Sequence, residues 1–103
     1  MGRLDGRVAM VTGASRGIGE ATARRFAREG ARVCLTDVNL EGALSTARQL
    51  VNEGMDAFAA KLDVTSRTEV ENTVGEIVDR YGRLDILVNN AGVTKDNLLY
   101  KMT

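Results

Sequence analysis

The chain has 103 residues, one cysteine, no histidine, no proline and no tryptophan, and its 14 basic residues balance its 14 acidic ones. That length suits one domain able to bury about 65% of its unfolded surface, and the 44% apolar and 27% charged fractions argue against disorder. Zero net charge gives no reason to expect nucleic acid or an anionic membrane as a partner; the lack of histidine excludes Ser-His-Asp and Cys-His catalysis within the chain, and with only one cysteine as well a zinc site of the usual ligands is not expected.

No apolar run approaches the roughly 20 residues of a membrane span, and the opening Met1-Gly2-Arg3-Leu4-Asp5 lacks the apolar stretch of a secretory signal. A lone cysteine, Cys34, cannot build a disulfide framework, so a reducing, cytoplasmic setting is expected, with Cys34 as a small buried hydrophobe. Acid–base chemistry is left to carboxylates, lysines and two tyrosines, Tyr81 and Tyr100.

Four short apolar runs begin at Val8, Val33, Ala57 and Ile86, spaced by about one strand-plus-helix unit. Continuous rather than alternating apolar character suits parallel strands covered on both faces. Between them lie three helical patterns. The first carries Ile18, Ala21, Thr22 and Phe26 and stops at Gly30. The second carries Leu40, Ala43, Leu44, Ala47, Leu50 and Val51 and stops at Gly54. The third opens on a capping box, Ser66-Arg67-Thr68-Glu69, and runs through Val70, Val74, Ile77, Val78 and Tyr81 to Gly82.

The expected fold class is therefore α/β: a Rossmann-like parallel sheet with helices on both faces, built β-α-β-α-β-α-β with strand order 3-2-1-4. The fourth strand is expected to be an open edge, and Leu98-Leu99-Tyr100 to begin a short helix. Residues 1–103 read as one unit without a linker or low-complexity run.

The strongest local signal is Thr12-Gly13-Ala14-Ser15-Arg16-Gly17-Ile18-Gly19, directly after the first strand and opening the first helix. Gly13 permits a tight turn, Gly17 lets backbone approach a pyrophosphate, and Gly19 allows helix to pack closely on strand. The helix N-terminus offers N–H groups and a positive dipole end to phosphate; a purely structural glycine turn is the alternative. Asp37 ends the second strand, where a carboxylate accepts from the ribose hydroxyls of NAD and repels a 2′-phosphate, unless it only begins the turn into an Asn39-capped helix. Arg16 pulls toward NADP, since a guanidinium can pair with that phosphate, or it is simply solvated. Asp37 weighs more, so NAD is expected and NADP is the alternative. Asp63 and Val64 follow the third strand beside the place for an adenine, or form an ordinary turn. Asn89-Asn90-Ala91-Gly92 ends the fourth strand at the topological switch point.

These four stations, in register, resemble the short-chain dehydrogenase/reductases from Gly6 to Thr103. Val93-Thr94-Lys95-Asp96-Asn97-Leu98-Leu99 is most similar to the 3-oxoacyl-acyl-carrier-protein reductases of fatty acid biosynthesis. The resemblance implies cofactor contacts at Gly13, Ser15, Arg16, Ile18, Asp37, Asp63, Val64 and Asn90, with Ala91 and Gly92 beside the nicotinamide ribose. It also implies reduction of a ketone by hydride transfer, with protonation by a tyrosine whose lysine partner stands four positions later. No Tyr-x-x-x-Lys occurs here: Asp85 stands four after Tyr81, and Tyr100 lies three residues before Thr103.

No catalytic residue is therefore assigned. The chain is expected to be the N-terminal dinucleotide-binding half of such a reductase, without its catalytic half and without turnover of its own. Two alternatives are a homo-oligomeric dinucleotide-binding module, pairing through the open fourth strand or the helix face of Val74, Ile77 and Val78, and an inert folded fragment.

Overall fold

The computed structural model describes residues 2–90 and 98–101. Its elements are β1 (Val8–Val11), α1 (Gly17–Arg28), β2 (Arg32–Asp37), α2 (Leu40–Asn52), β3 (Ala57–Lys61), α3 (Arg67–Tyr81), β4 (Ile86–Asn89) and β5 (Leu98–Lys101). The sheet order is β3-β2-β1-β4-β5, parallel from β3 to β4. The α/β class and the 3-2-1-4 order hold. β5 is an addition: it pairs antiparallel with β4, with Asn89 opposite Leu98 and Ile86 opposite Lys101.

That pairing corrects two expectations. Leu98-Leu99-Tyr100 is strand and not the start of a helix, because three apolar residues carry no period of their own and β4 offers an unpaired edge. The β4 edge is correspondingly taken up by β5 and is not the open edge expected of the fourth strand.

Each face of the sheet has its own core. Val11, Val33, Leu35 and Ala57 meet Ala23 and Ala27 of α1 and Ala43, Ala47 and Leu50 of α2. On the other face Val8, Met10 and Cys34 meet Ile77 of α3, with Leu62 and Leu84. Alternate residues of β1 thus enter opposite cores, which is why its run is apolar without a break.

The helix faces differ from the expected stripes. In α1 the buried residues are Gly19, Ala23 and Ala27, while Ile18 is 69% exposed and Ala21 is exposed. Gly19 dictates this rotation: a Cβ there would stand 2.0 Å from the Gly13 carbonyl oxygen, so only glycine can occupy the inward position. In α2, Ala43, Ala47 and Leu50 are buried as expected, but Val51 is exposed. In α3, Ile77 is buried, Val70, Val74 and Tyr81 pack beside it, and Val78 is exposed.

The ends of the helices follow their local chemistry. Asn39 Oδ1 accepts the Gly42 N–H at 3.3 Å and Ser66 Oγ accepts the Glu69 N–H at 3.2 Å, capping α2 and α3. Gly30, Gly54 and Gly82 follow their helices with positive φ. The capping box is only half formed, since Glu69 Oε1 accepts the Asp63 N–H at 3.0 Å instead of returning to Ser66.

At the N-terminal edge of β1, the buried Asp85 accepts the Val8 N–H at 2.9 Å and the Arg83 Nε–H at 2.9 Å. No helix of the described residues is long and apolar enough to cross a membrane.

Candidate dinucleotide site

Loops after four strands converge at the C-terminal end of the sheet, where β1 and β4 diverge in connection. They enclose a cleft of about 880 Å3, lined by Gly13, Ser15, Arg16, Gly17, Ile18, Asp37, Val38, Asn39, Leu62, Asp63, Val64, Thr65 and Asn90. That volume lies within the ~300–1,000 Å3 typical of small-molecule sites.

The β1–α1 loop supplies the floor. Gly13 and Gly17 both have φ of 62°, a left-handed conformation that costs a Cβ-bearing residue roughly 1–2 kcal/mol. A Cβ on Gly17 would meet no protein atom within 4 Å, so that backbone stands open to the cleft. The first-turn N–H groups of α1 follow, unpaired within the helix and at its positive end. Arg16, the N-cap residue of α1, makes no side-chain capping bond, and Ile18 projects outward.

Asp37 joins three walls of the cleft. Its Oδ2 accepts the Ser15 N–H at 3.0 Å and its Oδ1 the Asn39 N–H at 2.8 Å, while its carbonyl accepts the Leu62 N–H at 3.1 Å. Partial burial pushes the carboxyl pKa upward, but the hydrogen bonds from Asn39 and Ser15 and the Arg16 charge outweigh it. The pKa is lowered and the group is charged at neutral pH. Each oxygen accepts one backbone N–H and keeps capacity for a further hydrogen bond.

On the third wall, Asp63 Oδ1 accepts from the Thr65 Oγ1–H at 2.6 Å and the Thr65 N–H at 2.9 Å, which lowers its pKa. On the fourth, the Asn90 N–H donates to Thr12 Oγ1 at 2.8 Å, and Thr12 Oγ1–H donates to Asn89 Oδ1 at 3.1 Å. The Asn90 amide reaches the Gly13 carbonyl at 3.5 Å, tying the switch point to the glycine loop.

Nine of the twelve residues singled out in the sequence line this one cleft: Gly13, Ser15, Arg16, Gly17, Ile18, Asp37, Asp63, Val64 and Asn90. Gly19 stands behind it and supports the loop. Ala91 and Gly92 lie outside the described residues. Val38, Asn39, Leu62 and Thr65 also line the cleft and were not singled out; their adjacency to Asp37 and Asp63 was the available signal.

Tyr81 is remote from all of this. Its hydroxyl donates to Asp56 Oδ1 at 3.0 Å, its ring packs on Phe58, and the Arg32 guanidinium lies 5.3 Å from the ring centroid. Asp56 and Arg32 mark the opposite, N-terminal end of the strands. Burial and the Asp56 hydrogen bond push the Tyr81 pKa up to about 12. Among the described residues the cleft lining includes neither tyrosine nor lysine, and no cluster of metal-ligating side chains occurs.

The arrangement fits a nicotinamide dinucleotide: an open glycine backbone and helix N-terminus for two phosphates, and a carboxylate at the second strand for a ribose. Comparison with known proteins shows what the chain is similar to. The chain is 50% identical over 91 residues to sorbitol dehydrogenase of Cereibacter sphaeroides, covering 88% of this chain and 34% of that protein. It is 44% identical over 103 residues to the 3-oxoacyl-acyl-carrier-protein reductase of Thermotoga maritima, covering 97% of this chain and 41% of that one.

Among solved structures, a hydroxysteroid dehydrogenase from Escherichia coli superposes with a TM-score of 0.84 at 41% identity, over 88% of this chain and 39% of that chain. The chain thus spans between about a third and two fifths of the length of these relatives. The profile described as short chain dehydrogenase matches residues 7–103. With the glycine loop, the switch-point asparagine and the strand order all in place, the chain belongs to the short-chain dehydrogenase/reductase family of oxidoreductases, which bind NAD or NADP.

Proposed function

We propose that this chain is the dinucleotide-binding portion of an NAD(P)-dependent oxidoreductase, that it prefers NAD(H), and that it has no turnover alone. The observation that carries the preference is the position of the Asp37 carboxylate, charged at neutral pH at the end of β2 and directed to both the Ser15 and Asn39 amides. A 2′-phosphate beside it would add a second anion at close range, with Arg16 as the one cation lining the cleft among the described residues.

When bound, the dinucleotide supplies a hydride equivalent at its nicotinamide. The residues of this chain orient it. The α1 N-terminus and the Gly17 backbone receive the phosphates, Asp37 accepts from the adenosine ribose, and Asp63 and Val64 wall the adenine end. Asn90, held by Thr12, borders the nicotinamide end. On this reading the tyrosine and lysine that the family resemblance implies for moving the substrate proton are not among these 103 residues in the required spacing.

For the whole protein we propose reduction of a ketone to a hydroxyl, with a 3-oxoacyl thioester as substrate. The likeness of the Val93–Leu99 segment to acyl-carrier-protein reductases supports this, as does a relative named for that activity. The names of the other relatives, sorbitol dehydrogenase and hydroxysteroid dehydrogenase, support a hydroxyl–carbonyl pair at the reacting carbon.

Fluorescence titration of the 103-residue chain with NADH and NADPH tests the reading. NADH is expected to bind about tenfold more tightly or better. Tighter NADPH overturns the role given to Asp37, and binding of neither overturns the module. Turnover of a 3-oxoacyl thioester by this chain alone would overturn the assignment of catalysis to the remainder.

A further inference from the structure

The β3–α3 segment walls one side of the cleft, yet its last backbone contact with the sheet is the Leu62 N–H on the Asp37 carbonyl. What holds the following residue is a side chain outside the cleft. Glu69, in the first turn of α3, accepts the Asp63 N–H on Oε1 at 3.0 Å. The Asp63 carbonyl in turn accepts the Ser66 N–H at 3.0 Å, and Ser66 Oγ accepts the Glu69 N–H at 3.2 Å. Both backbone polar groups of Asp63 are therefore fixed, one by α3 and the other by its N-cap residue.

In an ordinary capping box the glutamate would return to the N–H of the capping residue. Here that N–H is already engaged by Asp63, and the glutamate reaches three residues further back. The displaced bond adds nothing to closing the helix that Ser66 does not already provide; it acts on the wall of the cleft.

We propose that Glu69 is a positioning residue for the adenine end of the cleft: through the Asp63 N–H it holds the Asp63–Thr65 turn in the form that receives an adenine nucleotide. This rests on the dinucleotide reading above. The bond is charge-assisted, and its loss is expected to weaken binding of the adenosine half by about tenfold.

The test is calorimetric titration of the full 103-residue chain with ADP-ribose, alongside thermal melting and amide hydrogen exchange at Asp63. E69A is expected to bind about tenfold more weakly and to exchange the Asp63 amide faster. E69Q, whose amide oxygen can accept the same N–H, is expected to recover to within about threefold. S66A removes the helix cap but not the Glu69–Asp63 bond, so it should lower the melting temperature and leave affinity within about twofold. Should E69A not fold, E69D decides, since it keeps the charge one methylene short of Asp63 and is expected to bind as weakly.

Wild-type affinity in E69A or E69D overturns the proposal. So does E69Q as weak as E69A, or S66A as weak as either. If the unmodified chain binds no ADP-ribose, the dinucleotide reading itself has failed and this inference falls with it.

Discussion

Asp37 and Ser15 stand 22 residues apart, and the carboxylate of one accepts the backbone N–H of the other at 3.0 Å. A single side chain thus ties the glycine loop to the neighbouring strand and carries a negative charge on the lining of the cleft, where we propose that a ribose binds. We expect Asp37→Ala to weaken NADH binding by about tenfold and NADPH binding by much less, so that the ratio of the two affinities falls toward one. Fluorescence titration measures both. Because the Asp37 pKa is lowered, the NADH affinity of the unmodified chain should be flat between pH 5 and 8. A preference for NADH that survives the substitution would place discrimination elsewhere.

Gly19 and Gly75 make a matched pair. A Cβ at Gly19 would meet the Gly13 oxygen at 2.0 Å, whereas one at Gly75, in α3, meets nothing within 4 Å. Gly19→Ala is expected to cost about 3 kcal/mol, at the upper end of ordinary overpacking, and to lower the melting temperature by more than about 10 °C. Gly75→Ala should raise stability by about 0.5–1 kcal/mol through helix propensity. Thermal melts of the two variants, run side by side, decide the matter.

Acid stability should report on Asp85. The hydrogen bonds from Arg83 lower its pKa, and the Val8 N–H and the charges of Arg83 and Arg7 act the same way against the opposing effect of burial. A carboxyl whose folded pKa lies below its unfolded value, about 3.9, stabilises fully above that value and loses its contribution as pH falls through the folded one. The urea midpoint should hold from pH 7 to 5 and drop below about pH 4. Asp85→Asn should cost about 1–2 kcal/mol at pH 7, modest because Arg83 is half-exposed, and should flatten the acid limb. Asp37 and Asp63, shifted in the same direction, keep part of that limb in the variant.

Cys34 lies in β2 with its side chain fully enclosed, and burial, aided by the Glu76 charge, pushes its thiol pKa up to about 12. Thiol-specific reagents at pH 8 should therefore not label the folded chain, and labelling in urea should follow the unfolding transition. Rapid labelling without denaturant would mean that the sheet opens locally at β2.

The class of fold and the strand order were legible because four apolar runs separated by three helical patterns leave few alternatives. The cleft was legible because the glycine loop, Asp37, Asp63 and Asn90 each follow a strand, and parallel strands bring their C-terminal ends to one side. The rotation of α1 was not. The apolar pattern set Ile18 and Ala21 inward along with Phe26, which does pack against the core, while the contact that turns Ile18 outward, Gly19 on the Gly13 carbonyl, exists only once the helix is folded back on the loop. β5 escaped for a similar reason: a strand of four residues is specified by the partner edge it meets, and not by any period of its own. The reach of Glu69 past its own helix cap was also hidden, since the Ser-x-x-Glu pattern fits either destination.

The small-residue face of α1 divides the site into positions that can drift and positions that cannot. Ile18 and Val38, 69% and 61% exposed on the rim of the cleft, are bounded by space and so are open to replacement as the ligand changes. Gly19 is bounded by the Gly13 carbonyl and the Asn90 amide, where an added methyl group would clash, and Ala23 and Ala27 are buried in the core beneath the helix. Laboratory evolution of cofactor choice in this chain should therefore accumulate its changes along the rim and leave the spine of α1 untouched.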